Sequence, residues 1–144
     1  MRSIDDSFGF LFAKASESFQ DALLPALDKA ALNTKQMGLL MIIQEHDGIS
    51  QKKAGAIQRV DRTTTMQTVD YLEKAGMVKR IQNQNDRRAY NLHSTEKGRL
   101  VMAELWKQYD IVQNRLLGDL SRRDVDSLQA LLLRIVRKDD QDEC

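Results

Sequence analysis

The sequence predicts a mainly α-helical fold carrying one two-stranded β-hairpin. Apolar residues recur at helical spacing over 4–32 and again over 95–136, and the chain holds a single proline. Apolar–polar alternation of the kind a half-buried strand needs falls at 77–81 and 89–93, on either side of a polar turn. With 144 residues, 42% of them apolar and 30% charged, the chain reads as one domain, long enough to bury a core without staples.

Residues 4–32 read as a long first helix, with Phe8, Leu11, Phe12, Phe19, Leu23, Leu24 and Leu27 at helical spacing and Pro25 expected to kink or interrupt it. Thr34 is the expected N-cap of a second helix, Lys35–Glu45, burying Met37, Leu40 and either Met41 or Ile42–Ile43. Ser50 caps a third, Gln51–Arg59, whose Lys52 and Lys53 suit phosphate contact at a capped helix N-terminus. Asp61 caps a fourth helix that Gly76 ends. Strands at Met77–Ile81 and Ala89–His93 flank the turn Asn83–Arg88.

A fifth helix runs from Thr95 to about Leu117, and Ser121-Arg122-Arg123-Asp124 opens a last one in the manner of a capping box. That last helix carries Val125, Leu128, Leu131, Leu132, Leu133, Ile135 and Val136, more apolar surface than a lone exposed helix should show. A second subunit is the economical cover for it. Residues 139–144 read as a frayed acidic tail.

The fourth helix carries the functional signal. On a helical wheel, Met66, Val69 and Leu72 share one face, and Thr63, Thr64, Gln67, Thr68 and Tyr71 share the other. Surface helices normally show Lys and Glu to water, whereas a run of β-branched threonines lowers helix propensity and calls for another reason. Short hydroxyl and amide side chains can hydrogen-bond base edges in a major groove wide enough for a helix. Thr63, Thr64 and Gln67 are therefore the candidates for base edges. Arg62, Thr68 and Tyr71 suit phosphates or flanking bases. An ordinary surface helix would also accommodate the run, and the hairpin tilts the choice.

Its tip reads Asn-Asp-Arg-Arg, polar and basic, so that Arg88, held by a charge-assisted bond from Asp86, suits insertion into a narrow minor groove. Lys79, Arg80 and Arg87 would meet the phosphate backbone. Charge is segregated to match: between residues 50 and 99 eleven Lys/Arg face five Asp/Glu, a surplus of +6 that leaves −5 for the rest of a chain of net charge +1. A basic middle with acidic flanks is the footprint of a local polyanion contact.

Helix, turn, helix and basic hairpin, in that order, make a winged helix-turn-helix. The stretches VDRTTT, DYLEKAGMVKR, NDRRAYNLH and STEKG, in this order and spacing, resemble the MarR family of bacterial transcription regulators, and the likeness extends over nearly all 144 residues. Departures fall at Ala54, where the family usually has Leu, at Gln58, where it has another apolar residue of the supporting helix, at Gln84, near a usual wing proline, and at Ser94, where Leu is common. The resemblance implies a winged-helix lobe at 33–94 and helices at 4–32 and 95–138 that form a dimerisation region. It also implies a homodimeric repressor on a pseudo-palindromic duplex, released by a small aromatic or lipophilic effector. Phe12, Phe19, Met41 and Trp106 are the candidates for the effector pocket.

Other classes find less support. The sequence has no Gly-rich phosphate loop, no Cys/His pair at useful spacing and no nucleophile motif, so no enzyme, cofactor or metal is expected. His46 and His93 stand far apart and make a poor metal set. Cys144 is the lone cysteine and the last residue, which precludes an internal disulfide. With neither an apolar run long enough to span a bilayer nor a secretory start, a cytoplasmic location is expected. A winged helix serving protein–protein assembly or RNA is the alternative, but it needs neither the threonine stripe nor the basic tip.

Overall fold

A computed structural model describes residues 1–142, with side chains through Lys138. The chain divides into two compact units, 1–109 and 110–144. A 3₁₀ turn, Ile4–Asp6, precedes α1 (Phe8–Ala30), α2 (Thr34–Glu45), β1 (Ile49–Ser50), α3 (Gln51–Gln58), α4 (Arg62–Lys74), β2 (Val78–Gln82), β3 (Tyr90–Ser94), α5 (Glu96–Leu116) and α6 (Arg122–Asp142). Among the described residues no helix is long and apolar enough to cross a membrane.

Within the first unit α1 is continuous through Pro25, against the expected interruption. The proline removes one amide from the ladder on the exposed face, while Leu23 and Leu27 on the other face are buried and hold the axis. Left-handed Ala31 ends the helix. Asn33 rather than Thr34 caps α2, because a full capping box is available: Gln36 N donates to Asn33 Oδ1 (2.8 Å) and Asn33 N to Gln36 Oε1 (2.9 Å). Met37, Leu39, Leu40 and Ile43 of α2 are buried, and they form the floor of the core with Val69 and Leu72 of α4 and Leu92 of β3. Of the alternatives Met41 and Ile42–Ile43, only Ile43 is buried, while Met41 and Ile42 are half-buried.

The sheet has three strands, in the order β1-β3-β2 and antiparallel throughout, where the sequence suggested two. Ile49 pairs with Leu92, and Arg80 faces Leu92 from the other side. A two-residue strand shows no alternation to read, which is why β1 escapes the pattern. Both hairpin strands begin one residue later than expected. The start of α5 is locked onto the end of α4. Thr95 Oγ1 donates to Gly76 O (2.6 Å) and accepts from Gly98 N (3.0 Å), and Lys97 Nζ donates to Ala75 O (2.6 Å). At Gly98 a Cβ would lie 2.2 Å from Met77 O, so only glycine allows this approach.

In the second unit, α5 ends at Leu116, and α6 starts behind Ser121, whose Oγ accepts from Asp124 N (3.1 Å) as the sequence suggested. Leu128, Leu131, Leu133, Ile135 and Val136 on α6 are 38–55% exposed. Helix α6 runs to Asp142, beyond the end expected near Lys138. Residues 139–142, expected as part of a frayed acidic tail, thus continue the helix in backbone, while side chains from 139 onward, residues 143–144 and any role of Cys144 lie outside the described residues.

Candidate nucleic-acid interface

Helix α4 starts where Asp61 accepts from Thr64 N at 3.0 Å through Oδ2. Hydrogen bonds from the Thr64 side chain and amide hold the Asp61 carboxyl below its usual range. The turn before it is tight: Arg59 adopts φ 57°, and Val60 N donates to Gly55 O at 3.1 Å. Two small residues, Ala54 and Gly55, are buried on α3 and admit the buried Thr65 of α4; a Cβ on Gly55 would sit 2.8 Å from Thr65 Oγ1. Ala54, at a position where the family usually has Leu, thus belongs to a closely approached pair of helices. Gln58, the other departure on α3, donates from Nε2 to Lys35 O (2.8 Å) and ties α3 to the start of α2.

The buried side of α4 is Thr65, Thr68, Val69 and Leu72. This corrects the wheel drawn from sequence. Thr68 is 8% exposed and donates to Thr64 O (2.8 Å), so it faces inward and is no phosphate contact. Thr65 satisfies its hydroxyl on Asp61 O (2.9 Å), which lets it pack as an apolar residue would. Met66, expected inward, is 46% exposed. Tyr71 is partly exposed, but its hydroxyl donates to Ala31 O at the end of α1, so its polar atom braces α4 rather than waiting for a phosphate. Arg62, Thr63 and Gln67 are exposed as expected, and Thr64 is half-buried.

Ser50 accepts from Lys53 N (3.1 Å) and caps α3, with Lys52 and Lys53 exposed on its first turn. On the wing, Lys79 and Arg87 point to solvent. Arg80 does not. Its side chain is 16% exposed, with Nη2 2.8 Å from Asp70 Oδ1 and Nη1 3.9 Å from Glu73 Oε1. The Nη2 contact is an ion pair without hydrogen-bond alignment. Nε donates to Gln51 Oε1 (3.1 Å), and the guanidinium lies 5.4 Å from the Tyr90 ring centre. Arg80 is therefore a bolt between β2, α3 and α4, not a backbone contact.

The wing tip is shaped by its own polar side chains. Asn83 Oδ1 accepts from Asn85 N (2.8 Å), Gln82 Nε2 donates to Arg87 O (2.6 Å), and Asp86 Oδ1 accepts from Arg88 N (3.0 Å). Asp86 thus grips the backbone amide of Arg88, whereas the sequence suggested a charge-assisted bond to its side chain. The Arg88 side chain is exposed and has no partner among the described residues.

Of the four effector candidates, Phe19 and Trp106 meet through a shared third ring. Phe19 stacks on Tyr109 (centroids 6.2 Å apart), and Trp106 meets Tyr109 edge-on (5.4 Å). Phe12 instead pairs with Phe8 at 6.2 Å. An open cleft of about 740 Å³ lies elsewhere, lined by His46, Asp47, Lys53, Ile57, Asn83 and Asn91 among others. Asp47 there stands 3.3 Å from His93 Nδ1. Among the described residues, no group of three His, Cys, Asp or Glu could hold a metal ion.

The MarR family model matches residues 32–89. Uncharacterized HTH-type transcriptional regulator YybA of Bacillus subtilis (strain 168) is 26% identical over 132 residues, 92% of this chain and 86% of that protein. Transcriptional repressor MprA of Escherichia coli (strain K12) is 29% identical over 100 residues, 69% of this chain; the chain spans only 57% of that repressor's length. Among solved structures, the repressor CouR bound to a 23-mer DNA duplex superposes with a TM-score of 0.85 at 24% identity, over 93% of this chain and 95% of that one. CouR from Rhodococcus jostii RHA1 is also known bound to p-coumaroyl-CoA, with a TM-score of 0.84 at 23% identity, over 94% of this chain and 96% of that one. At these identities the superpositions establish the fold.

Proposed function

Because this chain is a MarR-family winged-helix protein, we propose that it is a homodimeric, sequence-specific regulator of transcription, a repressor released by a small molecule. One observation carries the reading. The exposed stripe of α4, with Arg62, Thr63 and Gln67, is braced through Arg80 against a wing whose Arg88 is unpartnered among the described residues. Thr63 and Gln67 address base edges, with the half-buried Thr64 at their border; Arg62, Lys52, Lys53, Lys79 and Arg87 neutralise phosphates; Arg88 enters the minor groove. The duplex-bound state of CouR, a neighbour in fold, supports double-stranded DNA as the partner.

Two copies are needed to use it. Phe8 is 73% exposed and Phe12 43% on α1, and α6 leaves its leucines uncovered. Such faces are too apolar for water and fit a partner of the same kind. Recognition helices about 34 Å apart then meet successive major grooves on one side of the duplex. The Phe19–Tyr109–Trp106 cluster offers a flat effector its stacking surface, with Phe12 and Met41 as further candidates; the p-coumaroyl-CoA complex of CouR supports an aromatic ligand. An effector can release the operator only by the difference in its affinity for the two spacings of the recognition helices. The role is binding without turnover, in the cytoplasm.

Selection of duplexes from a random library by the full-length chain, with sedimentation of the free protein, tests the proposal. A dimer that enriches a pseudo-palindrome and loses it steeply with salt is expected. A monomer indifferent to every duplex would overturn it.

A further inference from the structure

Resting on that reading and deepening it, we infer that Met66 reads the 5-methyl group of a thymine in the major groove. At i, i+3 and i+4 along α4, the residues turned to water are Thr63, Met66 and Gln67. Thr65, Thr68, Val69 and Leu72 hold the helix down from its other side and fix this rotation, so Met66 cannot turn inward. A large apolar side chain, 46% exposed, therefore sits between two polar readers.

A polar stripe suits hydrogen-bonding base edges, but one apolar member has a different complement. The major-groove edge of a base pair offers a single apolar group, the thymine C5-methyl. Methionine has the reach and the flexible, polarizable thioether to cover it without demanding one geometry. Gln67 follows directly in sequence, and its amide can pair bidentately with adenine N6 and N7. The two side chains diverge by one helical step, so together they specify A·T pairs that are the same or adjacent. Arg80, through Asp70, and Tyr71, through the Ala31 carbonyl, tie α4 to β2 and to the end of α1, which holds the helix that presents Met66.

The experiment uses the duplex that the full-length chain itself enriches. Each thymine is replaced in turn by deoxyuridine, in both half-sites, which removes the methyl and nothing else. Wild type should lose about four-fold per methyl at one thymine position, the worth of one methyl group taken out of water. In Met66→Ala the same replacement should change affinity less than two-fold, and Met66→Leu should restore the sensitivity. An unchanged thermal midpoint shows that Met66→Ala is folded, as expected for an exposed helical site. Equal uracil sensitivity in wild type and Met66→Ala, or no sensitive thymine, overturns the inference and leaves DNA recognition standing. Failure to enrich any duplex overturns the underlying reading, and this inference with it.

Discussion

Arg80 Nη2 lies 2.8 Å from Asp70 Oδ1, a contact that joins the first strand of the wing to helix α4. Arg80 also reaches Gln51 and lies over the Tyr90 ring, so one side chain ties β2 to both α3 and α4. Both carboxylates near it are more than 40% exposed, so water screens the attraction, and packing of the arginine stem supplies the rest. Arg80→Ala should cost about 1–2 kcal/mol of stability, and Asp70→Asn under about 1 kcal/mol, in urea unfolding. A readout beyond stability is available: Arg80→Ala should weaken operator binding without changing its salt slope. A slope reduced as in Arg87→Ala would instead make Arg80 a phosphate contact.

Much of this arrangement is legible in the chain, and the misreadings have physical causes. Asp61 as cap, Gly76 just past the end of α4, and the hairpin with its polar tip follow from local chemistry, which sequence carries directly. The rotation of α4 does not. An apolar name places Met66 inside and a hydroxyl places Thr68 outside, but the hydroxyls of Thr65 and Thr68 are both satisfied by carbonyls of the preceding turn. Such a threonine packs like valine, and only the glycine opposite, Gly55, hinted at close helix approach. Arg80 and Tyr71 were misplaced for a related reason: a charge or a phenol announces itself in sequence, whereas its partners, Asp70 and the Ala31 carbonyl, are set by tertiary packing.

The Gly55–Thr65 contact can be measured as a coupling. In Gly55→Ala the new methyl must sit 2.8 Å from Thr65 Oγ1 and 3.2 Å from Thr65 Cγ2, so α3 and α4 have to part. A loss of about 1–3 kcal/mol is expected, with duplex binding reduced because the helix-turn-helix angle changes. Thr65→Ala alone removes a buried methyl and its hydroxyl. The double variant should be more stable than the sum of the two losses predicts, since the second change makes room for the first. Strict additivity would mean that the two helices relax independently of this contact.

Gly98 makes a harsher version of the same test. Its absent Cβ would lie 2.2 Å from Met77 O and 2.9 Å from Ser94 Oγ, and the first of these is backbone that cannot swing away. Gly98→Ala should therefore break the Thr95–Gly76 lock and cost about 3 kcal/mol. Soluble yield and thermal midpoint should both fall, more than for Gly55→Ala, where the obstructing atoms belong to a side chain. A near-neutral Gly98→Ala would contradict the described approach of α5 to the end of α4.

Asp61 makes the start of α4 sensitive to acid. Its carboxyl is held below the usual 3.8, chiefly by the Thr64 side-chain hydrogen bond and then by the Thr64 amide. A depressed folded value means that its contribution is complete above the unfolded value and disappears as pH falls through the folded one. Unfolding of wild type against Asp61→Asn, from pH 6 down to 3, should thus show a gap that is constant above about pH 5 and closes below the usual carboxylate value. Asparagine keeps a capping acceptor at every pH, so helix α4 should survive in the variant throughout. A gap that widens on acidification would reverse the sign of the linkage.

The wing separates charge from shape. Arg88 extends from a tip ordered by Asp86 and Asn83, and its guanidinium has no protein partner among the described residues. Arg88→Ala should weaken operator binding by about 1–3 kcal/mol if the side chain makes a specific groove contact. Arg88→Lys keeps the charge and loses the planar fork, so it should retain the salt slope while losing most of that affinity. Arg87→Ala should do the reverse, flattening the slope by about one unit per half-site with little effect on which sequence is chosen. Asp86→Ala, which frees the Arg88 amide without touching its charge, should fall between them, because the tip then explores conformations that must be frozen on binding. If Arg88→Ala binds the operator like wild type at physiological salt, the minor groove has no part in recognition, and α4 alone selects the site.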